Sequence, residues 1–165
     1  MKKLKVLFLA SLLIPGSAFA ANFNVPQSQP LASVILPDSW TMNSYANGIE
    51  GASSDGGIYF AFEVAEDHNV EDAVQTSLEL FIKDGIDVDL KTQKKQKITI
   101  NGLAADMITW AGKNKQSGKS VEVNLTLAPV DPSHFLIISN WGTPEAEKAN
   151  AADLQIIAKS IKKLN

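Results

Sequence analysis

Two histidines are the side chains in this sequence that titrate near neutral pH, and no cysteine is present. His134 sits at a turn beside Ser133 and near Asp131. Serine, histidine and aspartate are the parts of a nucleophilic hydrolase. Such a set is recognised by geometry rather than adjacency, and a G-x-S-x-G elbow is absent. His134 therefore reads as a turn histidine. His68 stands in Glu66-Asp67-His68, with Glu71 and Asp72 close behind, the densest run of metal-ligand side chains. Oxygen ligands of this kind hold Ca²⁺, but EF-hand spacing is missing and acids at a helix start are expected from the dipole alone. His68 reads as a solvated loop residue. Gly112 to Ser120 spells GKNKQSGKS. A phosphate loop needs G-x-x-x-x-G-K-[ST] leading into a helix; here five residues separate the glycines and a strand pattern follows, as in an ordinary hairpin loop.

Trp40, Trp110 and Trp141 have the chemistry to line a ligand cleft or a partner surface, although packing is the commoner use of such rings. Trp110 shares a strand face with Asp106 and Ile108, and Tyr59 shares one with Glu63. Those mixed faces predict exposure. Tyr59, Trp110 and Trp141 are the candidate partner- or ligand-binding residues. No catalytic residue, metal ligand or cofactor is assigned. The chain reads as non-catalytic, with a hydrolase using His134 or His68 as the enzymatic alternative.

The elements that must position these side chains are mostly strands. From Gln96 to Trp141 the pattern predicts four strands joined by three tight turns. Asn101-Gly102 lies between two apolar runs, and both residues tolerate the positive φ of a two-residue type I′ hairpin. Val121, Val123, Leu125 and Leu127 alternate with Glu122, Asn124 and Thr126, predicting one buried face and one facing water. Phe135 to Ile138 is apolar on both faces, as in a central strand. In the first half, Asn22 to Pro30 reads as an extended lead-in and Val34-Ile35-Leu36 as a first strand. Trp40 to Ala46 and Ile49 to Ser53 read as a weaker pair, and Ile58 to Ala65 as a strong strand. Val70, Val74, Leu78, Phe81 and Ile82 mark a helix over 70–84, stopped by Gly85. Ile86 to Leu90 leads into the basic run Lys94-Lys95-Gln96-Lys97, a solvated strand entry. Thr143-Pro144-Glu145 starts a closing helical segment striped by Leu154, Ile157, Ile161 and Leu164. Asn150 leaves open whether that segment is one helix or two.

Met1 to Ala20 reads as an export signal: Lys2, Lys3 and Lys5, the apolar run Val6 to Ile14, then Ala18-Phe19-Ala20 before a cleavage point at Ala21. The run is shorter than the roughly 20 residues a membrane span takes. Residues 21–165 then form a single α+β domain, in the periplasm or outside the cell, with no membrane anchor once the signal is removed. All 15 basic residues are lysine, against 18 acids, and three of the lysines lie in the signal. An acidic surface without arginine excludes nucleic acid and anionic lipid as natural partners.

The order of several strands, a helix, several strands and a helical end is an α+β plan with an antiparallel sheet of about six to eight strands packed by two or more helices. Three motifs then resemble the PsbP-like families: Val34-x-Leu36-Pro37-x-x-Trp40, the Ile98-x-Ile100-x-Gly102 hairpin with Ala104-Ala105, and Ile156-Ile157-x-x-Ser160-Ile161-Lys162. The group includes the extrinsic PsbP protein of photosystem II, a small-GTPase-binding import factor and bacterial relatives of unknown function. The resemblance implies a binding scaffold: an accessory or adaptor protein that contacts a protein partner through one sheet face or edge. The alternative is a carrier with an apolar pocket between sheet and helix. Oligomeric state is left open.

Overall fold

A computed structural model describes residues 20–66 and 70–164. Of the segment read as an export signal, only Ala20 is among them; the rest lies outside the described residues, as do Asp67, His68 and Asn69.

The fold is α+β, with every strand pairing antiparallel. β1 (Ala20–Val25) and β2 (Ala32–Pro37) form a hairpin, with Phe23 opposite Val34. The predicted lead-in is thus a strand, and the predicted first strand is the second. The seven-stranded sheet contains β3 (Thr41–Tyr45), β4 (Gly48–Ala52), β5 (Ile58–Glu66), β6 (Ile86–Ile100), β7 (Leu103–Asn114), β8 (Ser120–Pro129) and β9 (His134–Gly142), in the order β3-β4-β5-β9-β8-β7-β6. The doubly apolar β9 lies between β5 and β8, where both its faces are covered. Nine residue pairs, from Ile58↔Gly142 to Glu66↔His134, join the two halves of the chain.

Helix α1 (Val70–Lys83) crosses one face of this sheet. Its buried line differs from the predicted stripe. Phe81 is fully buried, but Val70 and Ile82 are 42% and 59% exposed, while Ser77 is buried. Ser77 belongs there because its hydroxyl meets that of Ser139 on β9 at 3.1 Å, so the polar pair is satisfied inside the layer. Around it, Ile108, Trp110, Val123 and Leu125 form one apolar cluster. The opposite face carries Phe60, Phe62, Leu136 and Ile138, packed with β2 and the closing helices as a second cluster.

The closing segment is two helices, α2 (Pro144–Ala149) and α3 (Ala151–Ser160). The Thr143 hydroxyl accepts from the Ala146 N–H, and the Asn150 N–H and side chain both donate to Ala146 O, ending α2. The predicted stripe through Ile161 and Leu164 fails at its end. The Ser160 hydroxyl accepts from the Ile35 N–H at 2.8 Å and donates to Ile157 O at 2.7 Å, so the last turn is tied to β2. Ile161 turns extended, and β10 (Lys162–Lys163) pairs with β2 as the third strand of the small sheet.

The two strand segments predicted around the basic run are one edge strand, β6, with a register shift between Asp89 and Lys94. Asp89 Oδ1 accepts from Lys91 N–H, and Thr92 Oγ1 donates to Asp89 O, folding the extra residues outward. Lys91, Lys94, Lys95 and Lys97 are exposed along this edge, where charge discourages pairing with another chain. The GKNKQSGKS segment is a hairpin loop as expected: Asn114 Oδ1 accepts from the Gln116 and Ser117 N–H groups. Among the described residues no helix is long and apolar enough to cross a membrane.

Asn101 and Gly102 both have positive φ, 45° and 86°, as the predicted turn requires. Asn101 does more than turn: its Nδ2 donates to Ile161 O at 2.9 Å, tying the hairpin tip to the end of α3. Asn101→Ala therefore loses a residue that tolerates the left-handed region and a long-range bond, and urea unfolding should show about 2 kcal/mol lower stability. Asn101→Gly loses only the bond, about 1 kcal/mol; equal stabilities for all three proteins would refute this role.

Candidate functional site

The strand alternation of β8 sends Val121, Val123, Leu125 and Leu127 toward α1 and Glu122, Asn124 and Thr126 to the other face. The sequence predicts that this second face meets water. Instead Asn124 and Thr126 are only 8% and 4% exposed, because the closing helical segment lies over this face, α2 against β8 and α3 across the cleft. A buried amide needs partners. Thr109 Oγ1 donates to Asn124 Oδ1 at 2.8 Å, and Asn124 Nδ2 donates to Glu122 Oε1 at 3.2 Å.

Between this polar row and α3 lies a cleft of about 320 Å³. Its apolar walls come from Phe60 and Phe62 on β5, Ile98 and Ile100 on β6, and Ile138 on β9. Leu154, Ile157, Ala158 and Ile161 close it from the helical side, and Asn140 joins the polar floor. The helix is held in place by polar ties outside the cleft. Trp40 Nε1 donates to Asp153 Oδ2 at 3.1 Å, Ser160 bonds β2, and Asn101 bonds Ile161 O. At one end, Glu147 on α2 lies over Gly142, which pairs with Glu122. Burial, and then the charge of Glu122, raise the Glu147 carboxyl above its ordinary range.

The three aromatic candidates are elsewhere. Trp110 is 1% exposed, so the predicted exposure is corrected: α1 and its neighbours cover the face that Asp106 leaves at its exposed end. Trp141 is 7% exposed and stacks with Tyr59, ring centroids 6.2 Å apart. Tyr59 alone of the three is half-buried, and its hydroxyl donates to Glu50 Oε2 at 2.8 Å. Burial and that bond push the Tyr59 phenol up. Asp84 is raised by burial and by Glu50, while the Lys83 charge acts the other way. The structure brings Tyr59 and Trp141 together and leaves Trp110 inside the adjacent layer.

His134 Nδ1 lies 2.9 and 2.8 Å from the two carboxylate oxygens of Asp131. The Ser133 N–H also donates to Asp131 Oδ1, at 2.7 Å. The Ser133 N–H and His134 hold the Asp131 carboxyl below its ordinary range. Aspartate and histidine thus close the β8–β9 turn. His68 and Asp67 lie outside the described residues. A larger hollow of about 620 Å³, lined by Leu31, Val64, Glu66, Asp72, His134 and Phe135, adjoins the same undescribed stretch.

No family model matches the sequence, and no curated protein is significantly similar to it. Solved structures do match in shape. The PsbP of the cyanobacterium Synechocystis sp. PCC 6803 (CyanoP) superposes with a TM-score of 0.54 at 8% identity, over 94% of this chain and 99% of that one. LpqN of Mycobacterium tuberculosis, described as involved in cell envelope biogenesis, aligns at 13% identity over 88% of this chain and 92% of that one, with a TM-score of 0.49. The chain has the PsbP-like fold, as the motifs implied. At such identity the likeness is one of fold, which does not carry a function by itself.

The raised Glu147 carboxyl has a thermodynamic consequence. A carboxyl whose folded pKa lies above its unfolded value binds its proton more tightly when folded, so its contribution to stability falls as pH rises through that interval. Glu147→Gln removes the penalty. Because Glu147 is half-buried the gain is small: the melting temperature should rise by about 1–3 °C at pH 7, with no difference at pH 3. A lower melting temperature at pH 7 would contradict the assignment.

Proposed function

We propose that this chain is an exported, non-catalytic accessory protein that works by binding, and that it carries a small apolar molecule in the α3 cleft. The cleft itself carries this reading. Its volume of about 320 Å³ falls at the lower end of the range of small-molecule sites, and apolar walls with a few polar groups on the floor are the usual composition of such sites. The leader-like Met1 to Ala20 supports export, with the mature protein in the periplasm or outside the cell. The absence of cysteine suits any redox compartment.

The adaptor reading, in which a protein partner binds a sheet face or edge, stands second. The free outer side of β6 favours it as a place for an added strand. The exposed lysines of that edge are its main obstacle.

The carrier reading is tested with the neutral apolar fluorophore N-phenyl-1-naphthylamine. Ala158 lines the cleft yet is itself exposed, so Ala158→Trp obstructs the mouth without altering buried packing. Wild-type protein should give saturable binding. The variant should bind at least about tenfold more weakly, with its melting temperature within about 2 °C of wild type. Equal affinity in a folded variant would remove the cleft as the binding place.

A further inference from the structure

We propose that the cleft selects a small molecule with a neutral carboxamide head, seated with the head on Asn124, Thr126 and Asn140 and the apolar body between Phe60, Ile138 and Leu154. The inference rests on the carrier reading and adds the ligand's chemical class.

Three observations support it. First, the three polar side chains form one contiguous floor. Asn124 on β8 and Asn140 on β9 are direct strand partners, and Thr126 is the next residue of β8 on the same face. Partner positions in an antiparallel pair bring Cβ atoms to about 5 Å, so a head of a few atoms spans the group. The hydrocarbon wall begins beside it: Ile138 is the strand partner of Thr126, and Phe60 pairs with Asn140 from the other side. Second, the floor keeps hydrogen-bonding capacity that the fold does not use. Asn124 and Thr126 are both more than nine-tenths buried, and both line the cleft. Asn124 accepts from Thr109 and donates to Glu122, which leaves one of its two amide hydrogens. Among the described residues the side chains of Thr126 and Asn140 make no hydrogen bond, and the Thr126 hydroxyl is not sealed off from the cleft. Third, the floor is uncharged. Glu122 is the charged member of the cleft lining, but it is exposed at the rim and its Oε1 already accepts from Asn124. Lys94 and Lys113, toward the β6 edge of the sheet, are exposed as well.

A buried hydroxyl or amide without a partner costs free energy, and a ligand that supplies the partner removes that cost. A carboxamide carries two N–H donors and a carbonyl acceptor on one carbon, enough to meet the Asn124 N–H, the Thr126 hydroxyl and the Asn140 amide together. An alcohol brings a single donor and leaves part of the floor unmatched. A charged head would leave water for neutral amides and hydrocarbon, with no counter-charge on the floor to offset its lost hydration. At about 30 Å³ per water-sized unit, the cleft of about 320 Å³ has room for roughly ten heavy atoms, a short apolar body with its head.

The test uses the mature protein and competition against N-phenyl-1-naphthylamine. The probes are octanamide, its isomer N,N-dimethylhexanamide, which keeps the carbonyl but has no N–H, and octanoate, each below its solubility limit. Octanamide should displace the fluorophore at about tenfold lower concentration than either of the others. In Thr126→Val/Asn140→Leu, which keeps the side-chain volumes and removes the polar groups, the ratio between the two amides should fall to about twofold. Neither substitution breaks a hydrogen bond, so the variant should melt within about 2 °C of wild type; if it does not fold, Thr126→Val and Asn140→Ala taken singly give the same comparison. Equal affinity of the wild type for the two amides would overturn the head-group selection while leaving the carrier reading intact. Octanoate binding as tightly as octanamide would overturn the preference for a neutral head. A preference that survives the substitutions would overturn the assignment to Thr126 and Asn140. Fluorophore binding that none of the three probes displaces would overturn the inference alone, and absence of fluorophore binding would overturn the carrier reading with it.

Discussion

Asn124 and Thr126 put a polar row inside a layer that is otherwise largely hydrocarbon, with the exposed Glu122 at its edge, and the arrangement of that layer follows from it. Leu154 and Ile157 on α3 gain by leaving water, but pressing them onto unpaired amide and carboxylate groups would cost more than the apolar contact returns. The amide is therefore bonded sideways, to Thr109 and Glu122, while Leu154 and Ile157 pack on the apolar part of the same face, with Phe60, Phe62 and Ile138. What fixes α3 over the cleft is a set of polar ties: Trp40 to Asp153, Ser160 to Ile35, and Asn101 to Ile161. Each tie reaches the helix or its end from a different element, so the gap is bounded on several sides.

The opposite face shows the contrast. There β8 presents Val123 and Leu125, β7 presents Ile108 and Trp110, and α1 lies directly on them with Phe81 fully buried. One polar pair, Ser77 with Ser139, is enclosed and satisfied by its own partner. The α3 face is also packed, through Phe60, Phe62 and Ile138 with Ile157, and its cleft lies beside the polar row of β8. The PsbP-like fold accommodates both arrangements. With 8% identity to CyanoP, few side chains are shared, and the nature of the cleft belongs to this sequence's own residues.

Period-two patterning made the sheet legible, because each strand of the β6–β9 block has at least one face whose apolar residues are close in sequence. The Asn101 turn was legible for the same reason: left-handed geometry selects its own residue types. What the sequence did not disclose depends on partners distant along the chain. Asp106 on the same strand face argues for an exposed Trp110, yet the tryptophan is buried in the cluster that includes Phe81 of α1 while the aspartate stays exposed. Ser77 sits on the buried line of α1 only because Ser139 lies opposite. The strand β1 has weak patterning and becomes a strand by pairing with β2. Ser160 ends α3 early by bonding Ile35, 125 positions away. The cleft was anticipated as a place between sheet and helix, but not its floor: Asn124 and Thr126 have the alternation of a wet face, and nothing local reports the helix that covers them.

The most direct measurement is a filtered NOESY experiment on methyl-labelled protein in the presence of octanol. A molecule held in the α3 cleft should give cross-peaks to the methyl groups of Ile98, Ile138, Leu154 and Ile157, from three separate elements at once. Cross-peaks confined to the exposed Ile82 and Leu90, or cross-peaks to none of these methyls, would contradict the account.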